Sequence, residues 1–340
     1  MNYIYCASYP SLRLVFYLIS LKKKVTIITF NNDILLVAND LNIPVKYIDV
    51  LTITVPRVRQ TLNPFNILKF RNDLKEVFLK LSSEIKAGTF YFTLHCIDLH
   101  GLNLISLFVK NRKDLSVKYW QDYQGDCGVK VVYLLSFFKL AELIYVNLLF
   151  KPYLFYGKVA EGQFFFATKS FLNRREINVV ETADIWNQEI YNDLKFGLTE
   201  KYSNSAVLLG DYSLAANFFA YKEQSVLSIH QFLKAHCTNL VYKQHPGPGE
   251  IDSYFSDCVI AEKHMPSEIL CLKSRLVISL ATTAMGTLAK LGVTCVCIIY
   301  LVEPQPDFDR EWWVSKMTRD SDGKIVFVKT REELLKYLNG

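Results

Sequence analysis

The residues best suited to chemistry lie between Val241 and Leu288, in three polar insertions: Lys243-Gln244-His245-Pro246, Pro266-Ser267-Glu268 and Thr282-Thr283. Each stands beside an apolar run that reads as a strand or helix of an α/β sheet. The apolar strand Thr238–Val241 delivers Lys243 and His245 to a loop rich in Pro and Gly. A cation and a switchable proton donor facing a cleft at a strand terminus suit a phosphate. Glu268 opens the next helical segment, where a carboxylate can accept hydrogen bonds from a ribose diol. After the strand Leu276–Leu280, Thr282 and Thr283 stand where a helix begins, and hydroxyls with free N–H groups there make an anion site. Taken singly, the three read as an ordinary turn, helix start and N-cap.

The elements that must position these residues alternate between strand and helix, which predicts parallel sheets. In the first half the pattern is strand Tyr3–Ala7, helix Ser11–Leu21, strand Val25–Phe30, a turn at Asn31-Asn32-Asp33, a helix to Leu41 and strand Val45–Val50. Phe65, Leu68, Leu74, Val77, Phe78, Leu81 and Ile85 then recur at helical spacing, predicting an amphipathic core helix over 64–86. Strands Thr89–Leu94 and Val117–Trp120 follow. A linker is expected near Gly197–Asn204, dividing the chain into domains 1–200 and 201–340. The second series starts with strand Ser205–Leu209, whose end at Gly210-Asp211-Tyr212 again falls at the ligand edge of a sheet. Helix Gln224–Ala235, strand Thr294–Tyr300, helix Asp309–Ser315, strand Lys324–Val328 and helix Arg331–Leu338 complete it.

At 340 residues and 51% hydrophobic content the chain can bury two cores. Its formal charge of +6 is spread over Leu21–Lys24, Lys110–Lys113 and Arg174-Arg175, without the dense basic stripe of a nucleic-acid binder. These clusters, with a mean hydropathy of +0.14, are compatible with peripheral association at an anionic inner membrane leaflet. The apolar stretch Val131–Tyr156 is interrupted by Lys139, Glu142, Asn147, Lys151 and Pro152, too often for a membrane span, so it reads as a buried helix, with an interfacial helix as the alternative. Eight cysteines form no CxxC pair and lie mostly in apolar runs, and the first residues lack a leader pattern; both point to the cytoplasm. The turn Ser8-Tyr9-Pro10 has no Gly-x-Gly signature, which excludes the usual dinucleotide oxidoreductase pattern.

In order and spacing, His245-Pro246, Ser267-Glu268-Ile269-Leu270 and Thr282-Thr283 resemble the motifs of bacterial sialyltransferases of the GT-B type. That family carries a His-Pro motif, a Ser/Phe-Glu-hydrophobic motif and a Ser-Ser or Ser-Thr pair in its C-terminal half. Here Thr-Thr replaces the pair, and Gln244 and Gly247 flank the histidine motif. The resemblance implies that His245 contacts the phosphate of CMP, Glu268 the cytidine ribose, and Thr282 and Thr283 the phosphate. Lys243, Pro246 and Gly210 complete the expected nucleotide-binding set. It also implies two Rossmann-like domains facing a central cleft, with the acceptor glycan on the N-terminal domain and the CMP-activated donor on the C-terminal one.

An inverting transfer needs a base to take the acceptor proton and a group to stabilise the departing phosphate. Asp122, two residues beyond Trp120 in Gln121-Asp122-Tyr123-Gln124-Gly125-Asp126, matches the family's acidic motif if Tyr123-Gln124 forms an expanded turn before Gly125; Asp126 is the alternative base. With His245 it makes up the expected catalytic pair. No metal and no cofactor are expected. His95, Asp98 and His100 lack a further spaced ligand set, and the strings Asp307-Phe308-Asp309 and Asp320-Ser321-Asp322 read as late surface turns. The competing readings are a CMP-Kdo-dependent transferase, a sugar-nucleotide epimerase and a non-catalytic binder on the same fold.

Overall fold

The computed structural model describes residues 1–49, 64–92, 101, 104–105, 107–108, 111–120, 178–180, 198–210, 221–245, 255, 257–306 and 308–339. The chain divides into two compact units, Met1–Ile185 and Trp186–Gly340.

The first unit holds strands β1 (Asn2–Tyr5), β2 (Val25–Thr29), β3 (Val45–Tyr47), β4 (Gly88–Phe92), β5 (Leu115–Trp120) and β6 (Asn178–Val180). They form one sheet in the order β3-β2-β1-β4-β5-β6, every pairing parallel. Every residue of β2 is buried, as expected of a parallel strand covered on both faces. Helices α1 (Leu12–Ser20), α2 (Asn32–Asp40) and α3 (Pro64–Glu84) connect the strands. Asn31 is the N-cap of α2, its side chain accepting from the Asp33 N–H at 2.8 Å, so the expected turn is already the helix start. The buried stripe of α3 comprises Phe70, Leu74, Phe78 and Leu81, with Ile85 just beyond. Leu68, expected in that stripe, is 54% exposed; Phe70 occupies the core-facing position instead. Arg112 fastens the C-terminal end of α3, donating to the carbonyls of Ser82 at 2.7 Å and Ile85 at 2.9 Å.

The second unit holds β7 (Ala206–Leu209), β8 (Leu240–Lys243), β9 (Val259–Ile260), β10 (Leu276–Ser279), β11 (Cys295–Cys297) and β12 (Val326–Phe327). Their order is β12-β11-β10-β7-β8-β9, again parallel throughout. Its helices are α4 (Leu198–Lys201), α5 (Glu223–His236), α6 (Ser267–Leu270), α7 (Thr283–Lys290), α8 (Arg310–Asp320) and α9 (Arg331–Leu338). Residues 198–205, where a linker was expected, pack on this unit. Lys201 pairs with Glu262, the Tyr202 hydroxyl donates to Glu262 at 2.8 Å, and the Ser205 carbonyl accepts from Arg275 N at 3.0 Å. The apolar run Thr294–Tyr300 is not one strand: β11 stops at Cys297, Ile298 leaves the extended region, and Ile299–Leu301 form a 3-10 turn.

Both sheets start at a central strand, build outward on one side, then cross to the other. The fold class is therefore two doubly wound, Rossmann-like α/β units. The reversal lies between β1 and β4 in the first and between β7 and β10 in the second. Ligands of such sheets bind outside the carboxyl ends of the strands at that reversal. Among the described residues no helix is long and apolar enough to cross a membrane. Cys6, Cys237, Cys271, Cys295 and Cys297 are buried and unbridged, acting as small core residues.

Candidate functional site

Three adjacent strands of the second sheet end together. Leu209 of β7 pairs with Lys243 of β8, and Ile278 of β10 pairs with Leu208 of β7. The carboxyl edge therefore presents Gly210 after β7, Gln244 and His245 after β8, and Leu280 to Thr283 after β10. The ends of β8 and β10 are two ladder steps, about 10 Å, apart. The edge is tied across: Gly210 N donates to the Lys243 carbonyl at 2.8 Å, and the buried Ser279 hydroxyl donates to the Leu209 carbonyl at 3.2 Å. Gly210 is required by close approach, because a Cβ there would lie 2.6 Å from the Tyr242 hydroxyl and 3.2 Å from His245 N.

Glu268 reaches this region by a separate route. Ala261 N donates to the Tyr242 carbonyl at 2.8 Å, carrying the chain along β8 into a turn closed by Met265 N and the Glu262 carbonyl at 3.2 Å. Pro266 is the N-cap of α6, a single helical turn. Buried Met265, Ile269 and Leu270 anchor it and leave Glu268 half-buried in its first turn. The charge of Glu268 acts on Lys243, which brings the second motif to the first.

Lys243 does not face a cleft as expected. It is 2% exposed, and its ammonium donates to the carbonyls of Gln244 at 2.8 Å and Lys263 at 2.9 Å. Burial lowers its pKa to about 8, opposed by the nearby Cys271 and Glu268. The physical reason for its position is that β8 runs on to Lys243 and the turn at 262–265 covers it.

His245 is half-buried, and burial together with Lys243 and Lys263 pulls its pKa to about 4. At neutral pH it is a neutral imidazole with one N–H to donate, beside two lysines whose field favours an anion. Thr282 is the N-cap of α7 in extended conformation, and its side chain makes no capping hydrogen bond. Thr283 begins the helix and is exposed. An anion at that terminus meets two hydroxyls and the positive end of the helix dipole.

The edge thus gathers Gly210, His245, Thr282 and Thr283, with Lys243 behind it and Glu268 beside it. Sequence reasoning missed Lys263, whose backbone carbonyl binds Lys243 and whose charge acts on His245, and Ser279, whose hydroxyl ties β10 to β7. A lone serine inside the apolar run Leu276–Leu280 was the only signal for the latter. Asp122, Asp126, Pro246, His95, Asp98, His100, Asp211 and the apolar stretch 131–156 lie outside the described residues. Among the described residues no group of three or more His, Cys, Asp or Glu side chains is gathered as a metal site. Of the two late Asp pairs, Asp309 caps α8 by accepting from Trp312 N at 2.9 Å, and Asp320 pairs with Lys316.

No protein-family model matches the chain, and no curated protein matches it. Among solved structures, UDP-GlcNAc 2-epimerase from Methanocaldococcus jannaschii is similar over 100% of this chain and 92% of its own, at 12% identity and a TM-score of 0.49. UDP-GlcNAc 2-epimerase from Neisseria meningitidis, bound to UDP-GlcNAc, is similar over 100% of this chain and 90% of its own, at 13% identity and a TM-score of 0.47. The spinosyn rhamnosyltransferase SpnG complexed with thymidine diphosphate is similar over 97% of this chain and 87% of its own, at 12% identity and a TM-score of 0.44. These likenesses assign no activity to this chain, and what it can bind rests on its own residues.

Proposed function

We propose that this protein is an inverting, metal-independent glycosyltransferase that moves sialic acid, or a related nonulosonic acid, from a CMP-activated donor to a hydroxyl of a bacterial surface glycan. The observation that supports this reading is the meeting of its three polar motifs within one Rossmann-like unit. His245 and the Thr282/Thr283 pair stand at one sheet edge, and Glu268 is near enough to act on Lys243 behind it. A ribose, held by Glu268, and a phosphate, held by the His245 N–H and the two hydroxyls, together describe a nucleoside monophosphate.

In the reaction, a carboxylate of the first unit takes the proton of the acceptor hydroxyl; Asp122 is the proposed base and Asp126 the alternative. The acceptor oxygen bonds to the anomeric carbon as its bond to the phosphate oxygen breaks, and CMP leaves with the electron pair. Neutral His245 donates to the phosphate as its charge grows, an interaction that strengthens in the transition state. The two lysines beside it supply positive potential without a metal ion.

A donor screen with CMP-sialic acid, CMP-Kdo and UDP-sugars in the presence of chelator tests this reading. Release of CMP on adding a glycan acceptor is expected with CMP-sialic acid. Turnover of CMP-Kdo alone would move the sugar pocket to that donor. Conversion of a UDP-sugar without acceptor would make the chain an epimerase, and binding without turnover would make it a binder.

A further inference from the structure

A lysine at the buried end of a parallel strand calls for explanation, because an ammonium taken from water is retained only where acceptors replace its hydration. Lys243 has two such acceptors, and both are backbone carbonyls. One is Gln244 at 2.8 Å, on the segment leading to His245; the other is Lys263 at 2.9 Å, inside the turn that leads to Glu268. Neither depends on the identity of the side chain that follows, so the bonds fix chain paths. The two segments are otherwise joined through the short β9, whose ladder with β8 covers only Val241 with Val259 and Tyr242 with Ile260. The Ala261 N–H to the Tyr242 carbonyl extends it by one bond, and Lys243 takes over where that ladder stops.

We propose that Lys243 is a positioning residue, an internal brace that splices the His245 loop to the Glu268 turn and sets the distance between the groups holding phosphate and ribose. This rests on the reading above that His245 and Glu268 hold one nucleotide. It replaces the direct phosphate contact expected for this lysine, since a side chain 2% exposed and committed to two carbonyls is placed to shape the site rather than to line it. Its charge still serves the site: retained at neutral pH, it adds to the field around His245 and lies beside Glu268, with Cys271 packed behind.

The test compares Lys243→Met with the wild-type full chain, titrated calorimetrically with cytidine and with CMP, and followed by hydrogen exchange over residues 257–270. A brace predicts that Lys243→Met weakens cytidine and CMP by a similar factor, about tenfold or more. It also predicts faster exchange in 261–268, with other segments of the same unit unchanged. A direct phosphate contact predicts instead that cytidine binding is untouched and only the added affinity of CMP is lost; that result, or unchanged exchange in 261–268, overturns the proposal. If the wild-type chain binds neither probe, the nucleotide reading fails and the brace is judged by exchange alone. Should Lys243→Met not fold, Lys243→Gln, with two N–H donors on a side chain one bond shorter, carries the same comparison.

Discussion

The backbone N–H of Gly210 donates to the Lys243 carbonyl at 2.8 Å, so β7 and β8 stay paired one residue past Leu209, and the glycine lies against the start of the His245 loop. A Cβ at position 210 would stand 2.6 Å from the Tyr242 hydroxyl and 3.2 Å from His245 N. Gly210→Ala is therefore expected to cost about 1–3 kcal/mol of stability, read from the denaturant midpoint, because packed backbone and side chain must both shift. In a double-mutant cycle with Tyr242→Phe, which removes the nearer atom, that cost should fall. An equal cost in both backgrounds would show that the crowding lies elsewhere.

The depressed pKa of His245 gives binding a pH dependence whose sign can be worked out. The free site holds the imidazole at about 4, against about 6.5 for an unperturbed histidine. The stability this neutral histidine contributes is thus present above the unfolded value and lost as pH falls through the folded one. A bound phosphate opposes burial and the charges of Lys243 and Lys263, so it raises the pKa and the complex takes up protons. Relative to His245→Gln, wild type should gain CMP affinity as pH falls from neutrality toward 5, the titration of the CMP phosphate itself (second pKa about 6) being common to both. Calorimetry at pH 5.5 in two buffers of different ionisation enthalpy should count a larger proton uptake for wild type than for His245→Gln. An identical proton count in the variant would remove His245 from the phosphate.

Glu268 was legible because Pro-Ser-Glu precedes a short apolar run, the pattern of a helix start, and α6 begins there. The same holds for Thr282 as the N-cap of α7 and for Arg331–Leu338, where a run of Glu and Leu fixes α9. The burial of Lys243 was not legible. A lysine after the apolar run Thr238–Val241 reads as the first solvent-facing residue past a strand. The chain covering it arrives through β9, two residues long, which no periodicity can register. Leu68 failed for a different reason: on a helix with several apolar residues, Leu68 and Phe70 offer competing stripes, and only packing decides between them.

Glu268 is expected to read the ribose. Its turn is anchored by buried Met265, Ile269 and Leu270, so Glu268→Ala should leave the melting temperature within a few degrees of wild type. Loss of a hydrogen bond to a charged group, about 1.5–3 kcal/mol, should weaken CMP binding by roughly 10- to 100-fold. The sharper readout is selectivity. Wild type should prefer CMP to 2′-deoxy-CMP, and Glu268→Ala should bind the two alike; a preference preserved in the variant would place the ribose away from Glu268.

Thr282 separates a structural from a binding role within one substitution. Among the described residues Asn31, Asp309 and Thr330 cap their helices through side-chain bonds. Thr330 accepts from the Glu333 N–H at 3.2 Å, while the Glu333 carboxylate accepts from Lys329 N at 2.7 Å. Thr282 occupies the same N-cap position on α7, yet its side chain makes no capping bond. Thr330→Ala should therefore cost about 1 kcal/mol, whereas Thr282→Ala should cost less than about 0.5 kcal/mol. If the uncommitted hydroxyl instead serves the phosphate, Thr282→Ala should weaken CMP several-fold while leaving cytidine unchanged, and Thr282→Ser should restore it. Equal stability losses at the two caps would assign Thr282 to the helix, and CMP affinity unchanged in Thr282→Ala would take the hydroxyl out of the anion site.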